Sequence, residues 1–66
     1  MLPLNSKQLI RHIRKHGGVE LKGRGKGGHR MFELNGVRQA VPYHGSKSLS
    51  PGTILSICKA FGIPKS

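Results

Sequence analysis

The sequence predicts an α+β domain of order α-β-β-β-α, with a three-stranded antiparallel sheet and two helices on one face. Three observations lead there. Asn35-Gly36 stands between two runs of alternating hydrophobicity, a strong hairpin signal because both residues tolerate positive φ. Near each end of the chain, an apolar pattern of helical period is bounded by capping residues. Finally, 66 residues suffice for one domain, so all five elements must share one core across 1–66.

The first helix is expected over 5–16. Asn5 is its N-cap, Gln8 can close a capping box, and Leu4 and Leu9 occupy the hydrophobic-staple positions. Gly17 supplies the left-handed stop. Leu9, Ile10 and Ile13 share one side, and Lys7, Arg11, Arg14 and Lys15 share a sector largely opposite. A cationic stripe is usually just a solvated face. Here no acidic neighbour on the helix relieves the repulsion, which leans toward an anionic surface.

Val19 and Leu21 alternate with Glu20 and Lys22, a short strand signal, before a glycine-rich segment over 23–28. Alternation resumes over 29–34 and 37–43. A two-residue turn sets Leu34 opposite Val37, Glu33 opposite Arg38 and Phe32 opposite Gln39. Phe32, Leu34, Val37 and Val41 then face the helices, while His29, Met31, Glu33, Arg38 and Ala40 face away. Pro42 ends or edges the third strand, and 43–49 connects to a second helix over 51–61. Ser50 is its N-cap, Pro51 its first residue and Gly62 its stop. Ile54, Ile57, Cys58 and Phe61 form its apolar stripe, with Leu55 at the border. Cys58 reads as a small buried hydrophobe rather than a nucleophile.

Charge narrows the function. Twelve Lys and Arg stand against two Asp and Glu, a formal net charge of +10. So one-sided a field favours a polyanionic partner, nucleic acid before a membrane or an acidic protein. One cysteine excludes an internal disulfide and a multi-cysteine zinc site, and suits a reducing compartment. Neither a membrane span nor a signal peptide is read, so a cytoplasmic location is expected.

Gly23-x-Gly25-x-x-Gly28 spells the dinucleotide fingerprint, but a strand pattern follows it where a helix is required. The better functional reading is close approach of backbone to a phosphodiester, with Arg24, Lys26 and Arg30 as cations beside Gly27 and Gly28. The plain alternative is a flexible connection. His12 and His16 have a chelating i, i+4 spacing but lack a third ligand, so no metal is expected. His29 is the sharpest candidate. It follows the glycines, faces away from the core and sits among cations, and histidine exchanges protons near neutral pH. RNA carries its own nucleophile, the 2′-OH, so cleavage chiefly needs a base at that hydroxyl and positive charge at the phosphate. His44 is a second candidate, for acid or phosphate contact. An equally good reading makes it a loop residue before the second helix.

These pieces together resemble the HicA family of bacterial toxin–antitoxin mRNA interferases. The carriers are Asn5-Ser6-Lys7, Gly27-Gly28-His29-Arg30-Met31-Phe32, Val41-Pro42-Tyr43-His44, Leu49-Ser50-Pro51-Gly52-Thr53, Ile57-Cys58-Lys59 and Phe61-Gly62-Ile63. The resemblance implies a fold similar to the double-stranded RNA-binding domain. It also implies a ribosome-independent endoribonuclease acting on mRNA and silenced by a HicB-type antitoxin, here expected to be acidic. The family's catalytic histidine follows a Gly-Ser pair and maps onto His29, with Gly28 at the serine position. Metal-free cleavage with His29 as general base is therefore expected, aided by Arg24, Lys26, Gly27, Gly28, Arg30 and His44. Lys7, Arg11, Arg14 and Lys15 would form a secondary basic surface. No cofactor, no membrane contact and no direct DNA binding by this chain alone are expected. Two alternatives remain: a non-catalytic basic RNA-binding module of the same fold, and a chain that chiefly partners an antitoxin on DNA.

Overall fold

The computed structural model describes residues 5–23, 28–43 and 48–65. Asn5 opens the first helix, α1 (Ser6–Lys15), and its Oδ1 accepts the Gln8 N–H at 2.9 Å. That bond satisfies one of the orphan donors of the first turn. The helix ends at His16, and Gly17 follows at φ +99°. The predicted apolar side is the buried side: Leu9, Ile10 and Ile13 all lie in the core.

The sheet is formed by β1 (Val19–Glu20), β2 (His29–Leu34) and β3 (Val37–Pro42), antiparallel and in sequence order. Asn35 at φ +54° and Gly36 at φ +76° build the hairpin turn. The resulting register pairs Leu34 with Val37, Glu33 with Arg38 and Phe32 with Gln39, as a two-residue turn requires. β1 is shorter than its four-residue alternation suggested. Only Val19 and Glu20 pair in register, with Glu33 and Phe32, and a single further bond runs from Leu21 N–H to the Met31 carbonyl. Val19 is 54% exposed, because nothing packs on the outer face of this edge strand among the described residues.

The second helix, α2 (Pro51–Phe61), starts under a Ser50 cap that accepts the Thr53 N–H, and stops at Gly62, φ +73°. Ile54, Ile57, Cys58 and Phe61 join Leu9, Ile10, Ile13, Phe32, Leu34 and Val41 in one core. Both helices thus cover the Phe32 face of the sheet, in agreement with the predicted α-β-β-β-α order. Leu55 remains 45% exposed at the stripe's border. Burial pushes the Cys58 thiol pKa up from its ordinary value, so the thiol stays protonated and unreactive.

The glycine pair after α1 divides two tasks. Gly17 takes the left-handed backbone, while Gly18 is a point of close approach. A Cβ on Gly18 would stand 2.3 Å from Ile13 Cγ2 and 2.9 Å from the Ile13 carbonyl oxygen. The Gly18 N–H donates to that same carbonyl at 2.9 Å, which pulls the chain back under the helix.

His12 and His16 are committed to backbone. His12 Nε2 donates to the Pro64 carbonyl at 2.6 Å, and His16 Nδ1 donates to the His12 carbonyl at 3.0 Å. The two rings meet edge to face at 4.6 Å. His12 therefore ties the C-terminal segment across α1. His12→Ala is expected to cost about 1 kcal/mol, a fall in Tm of roughly 4–8 °C for a domain this small. Thermal unfolding followed by circular dichroism checks this, and an unshifted Tm would show that the tie contributes nothing.

Candidate functional site

His29 opens β2 and lies exposed at the end of its ladder with β3, opposite Pro42. Its backbone is bracketed on both sides. The Tyr43 N–H donates to the Gly28 carbonyl just before it, and Arg30 pairs with Val41 just after. Alternation along the strand puts His29 on the face away from Phe32, as expected from the sequence. The imidazole is thus carried by a paired strand rather than by a free loop.

Beside it runs an open cleft of about 660 Å³ along β3, one of the two edge strands, where α2 passes. His29, Ala40 and Pro42 line one side, Gln39 the strand edge, and Ser50, Gly52, Thr53, Ser56 and Ile57 the helix. The Ser50 and Thr53 hydroxyls are bonded to each other at 2.8 Å within the cap. Gln39 Nε2 donates to the neighbouring Ala40 carbonyl at 3.1 Å.

Arg30, expected to work beside His29, is turned elsewhere. Neighbours on a strand point to opposite faces, and the Arg30 guanidinium lies over the Tyr43 ring, 3.9 Å from its centroid. It also stands 3.9 Å from Glu20, with its side chain 43% exposed. Arg14 approaches the same carboxylate at 3.2 Å and covers the Phe32 ring at 5.4 Å. The stripe on α1 is therefore not four unopposed cations. Glu20, reached through the fold rather than along the helix, offsets Arg14, and Lys7, Arg11 and Lys15 remain exposed beside it. Glu33 likewise pairs with Arg38 at 3.7 Å. At such exposure each pair is worth at most about 1 kcal/mol. Their effect is to orient Arg14 and Arg30 at one edge.

Of the expected site residues, His29 lines the cleft with Gly28 just before it in the chain, while Arg30 belongs to the Glu20–Tyr43 cluster on the other face. Arg24, Lys26, Gly27 and His44 lie outside the described residues. Gln39, Ser56 and Thr53 were not singled out from the sequence. The available signal was Gln39 itself, a polar residue placed by the hairpin register directly opposite core Phe32. Among the described residues, no three His, Cys, Asp or Glu gather to hold a metal ion. No helix among them is long and apolar enough to cross a membrane.

A family model described as HicA toxin of bacterial toxin–antitoxin matches residues 6–63. No curated protein and no solved structure matches the chain. The matched stretch runs from the first residue of α1 to just past the Gly62 stop, and so takes in every element that builds the cleft and carries His29. The chain belongs to the HicA toxin family, as the toxin of a toxin–antitoxin pair with a cognate antitoxin.

Proposed function

We propose that this toxin is an endoribonuclease that cuts mRNA in the cytoplasm without the ribosome or a metal ion, with His29 as general base. The observation that carries the reading is the exposed imidazole, held on a paired strand at the edge of an open cleft in a chain of net charge +10. Long-range attraction brings the polyanion to the surface. Lys7, Arg11 and Lys15 steer the strand, and Arg14 and Arg30, presented by Glu20, meet phosphates at the sheet edge. Arg24, Lys26, Gly27 and Gly28 contact the scissile phosphate from the glycine segment. His44 contacts a phosphate or serves as an acid.

The chemistry balances without a cofactor. His29 takes the proton of the 2′-OH, the 2′-oxygen bonds to phosphorus, and the bond from phosphorus to the 5′-oxygen breaks. The departing oxygen takes a proton from an acid or from water. The products are a 2′,3′-cyclic phosphate on one fragment and a 5′-hydroxyl on the other. A HicB-type antitoxin with an acidic surface silences the toxin by covering His29, and binding it also stabilises so small a domain by mass action.

The test is to incubate purified protein with RNA in EDTA and analyse the ends. Cyclic phosphate and 5′-hydroxyl termini are expected, at an undiminished rate. Salt-sensitive binding with no cut RNA after long incubation would leave only a binding module. Cleavage that EDTA stops would remove the metal-free mechanism.

A further inference from the structure

We infer that the cleft along β3 is a nucleobase subsite: it receives the base of the nucleotide whose 2′-OH is attacked, and Gln39 and Ser56 read that base. The inference rests on the RNA-cleaving role of His29 and deepens it. The 2′-OH and the base belong to one ribose, so a sugar placed with its hydroxyl at His29 must put its base beside that residue. The cleft that His29 lines lies there. Its volume of about 660 Å³ falls within the roughly 300–1,000 Å³ typical of small-ligand sites.

The lining favours a base over a phosphate. In a chain with twelve Lys and Arg, none of them is among the described residues that line this cleft. Ala40, Pro42 and Ile57 offer apolar surface for a ring. Ser50 and Thr53 are engaged with each other in the helix cap. Gln39 spends one N–H on the Ala40 carbonyl, which leaves its second N–H and its Oε1 without a partner among the described residues. An adjacent donor and acceptor complement the edge of a base, and single-stranded RNA is commonly read that way. Ser56, exposed on the helix wall, adds a hydroxyl that can give or accept.

The experiment maps cut sites on a random-sequence RNA pool for the parent protein, Gln39→Ala, Ser56→Ala and Ser56→Trp. Thermal unfolding verifies that each variant is folded. Gln39→Ala and Ser56→Ala are expected to flatten the base preference at the nucleotide 5′ to the cut by roughly 3- to 10-fold, the worth of one hydrogen bond. Ser56→Trp fills the cleft and is expected to slow cleavage of every RNA. Placed in the His29→Ala background, it should weaken RNA binding by no more than the loss of one base contact, because most of the binding draws on cations elsewhere. A parent that cuts, with variants that keep its rate and its map, overturns the subsite alone. A parent that binds RNA without cutting overturns the nuclease reading and the subsite with it.

Discussion

His29→Ala is expected to lower RNA cleavage by about 10²–10⁴-fold, the usual contribution of a positioned general base, and to end growth arrest on expression. The fold should not notice the change. His29 is exposed at a strand end, makes no contribution to the core and lies on the face away from Phe32. Surface substitutions of this kind usually fall within about 0.5 kcal/mol. Loss of activity with an unshifted melting curve therefore isolates chemistry from stability. His29→Gln sharpens the comparison, since it keeps hydrogen-bonding atoms but cannot take up the proton. Should either variant cut RNA at the parental rate, His29 is not the base.

Gly18→Ala carries the largest expected cost to the fold. The new methyl would meet the Ile13 side chain at 2.3 Å and the Ile13 carbonyl oxygen at 2.9 Å, with Leu34 Cδ1 at 3.2 Å behind them. Ile13 and Leu34 are core residues, and the carbonyl is the acceptor for the Gly18 N–H, so neither side can give way freely. Overpacking of this kind costs about 1–3 kcal/mol, against a total that for a chain of 66 residues is of order 3–10 kcal/mol. Expression without the antitoxin should then yield little folded protein, and a denaturant titration should show a lowered midpoint. Gly17→Ala differs in kind. No atom lies within 4 Å of a Cβ there, so its cost is the left-handed backbone alone. Equal midpoints for Gly18→Ala and the parent would refute the close-approach argument.

What was legible in the chain is what local chemistry dictates. Caps at Asn5, Ser50 and Gly62 marked helix ends, because the orphan groups of a terminus need those residues nearby in sequence. Asn35-Gly36 set the register of six residue pairs, because a two-residue turn leaves no freedom to slip. That register alone placed His29 away from the core. What sequence order could not convey was meeting across the fold. Arg30 follows His29 directly, which suggested joint action, yet the pleat sends them to opposite faces, and Tyr43 and Glu20 capture the guanidinium. The need for glycine at Gly18 has no local signature either, since it arises from close approach to Ile13 and Leu34. Val19 to Lys22 alternated well, but alternation does not report where a partner strand ends, and only two residues of β1 pair in register. The cleft depends on α2 passing β3, a tertiary event with no local signature.

One tie bears on all of this. The Asn35 side chain that helps make the hairpin tip also reaches α2, its Nδ2 donating to the Phe61 carbonyl at 2.9 Å. At the helix's other end, Asn5 bridges Ser48, two residues before the cap. The second helix is therefore a beam clamped at both ends, and the aperture beside the imidazole is inherited from its seating. A disturbance at the tip, a full strand length from the chemistry, would be transmitted along the beam and register as a wider or narrower mouth.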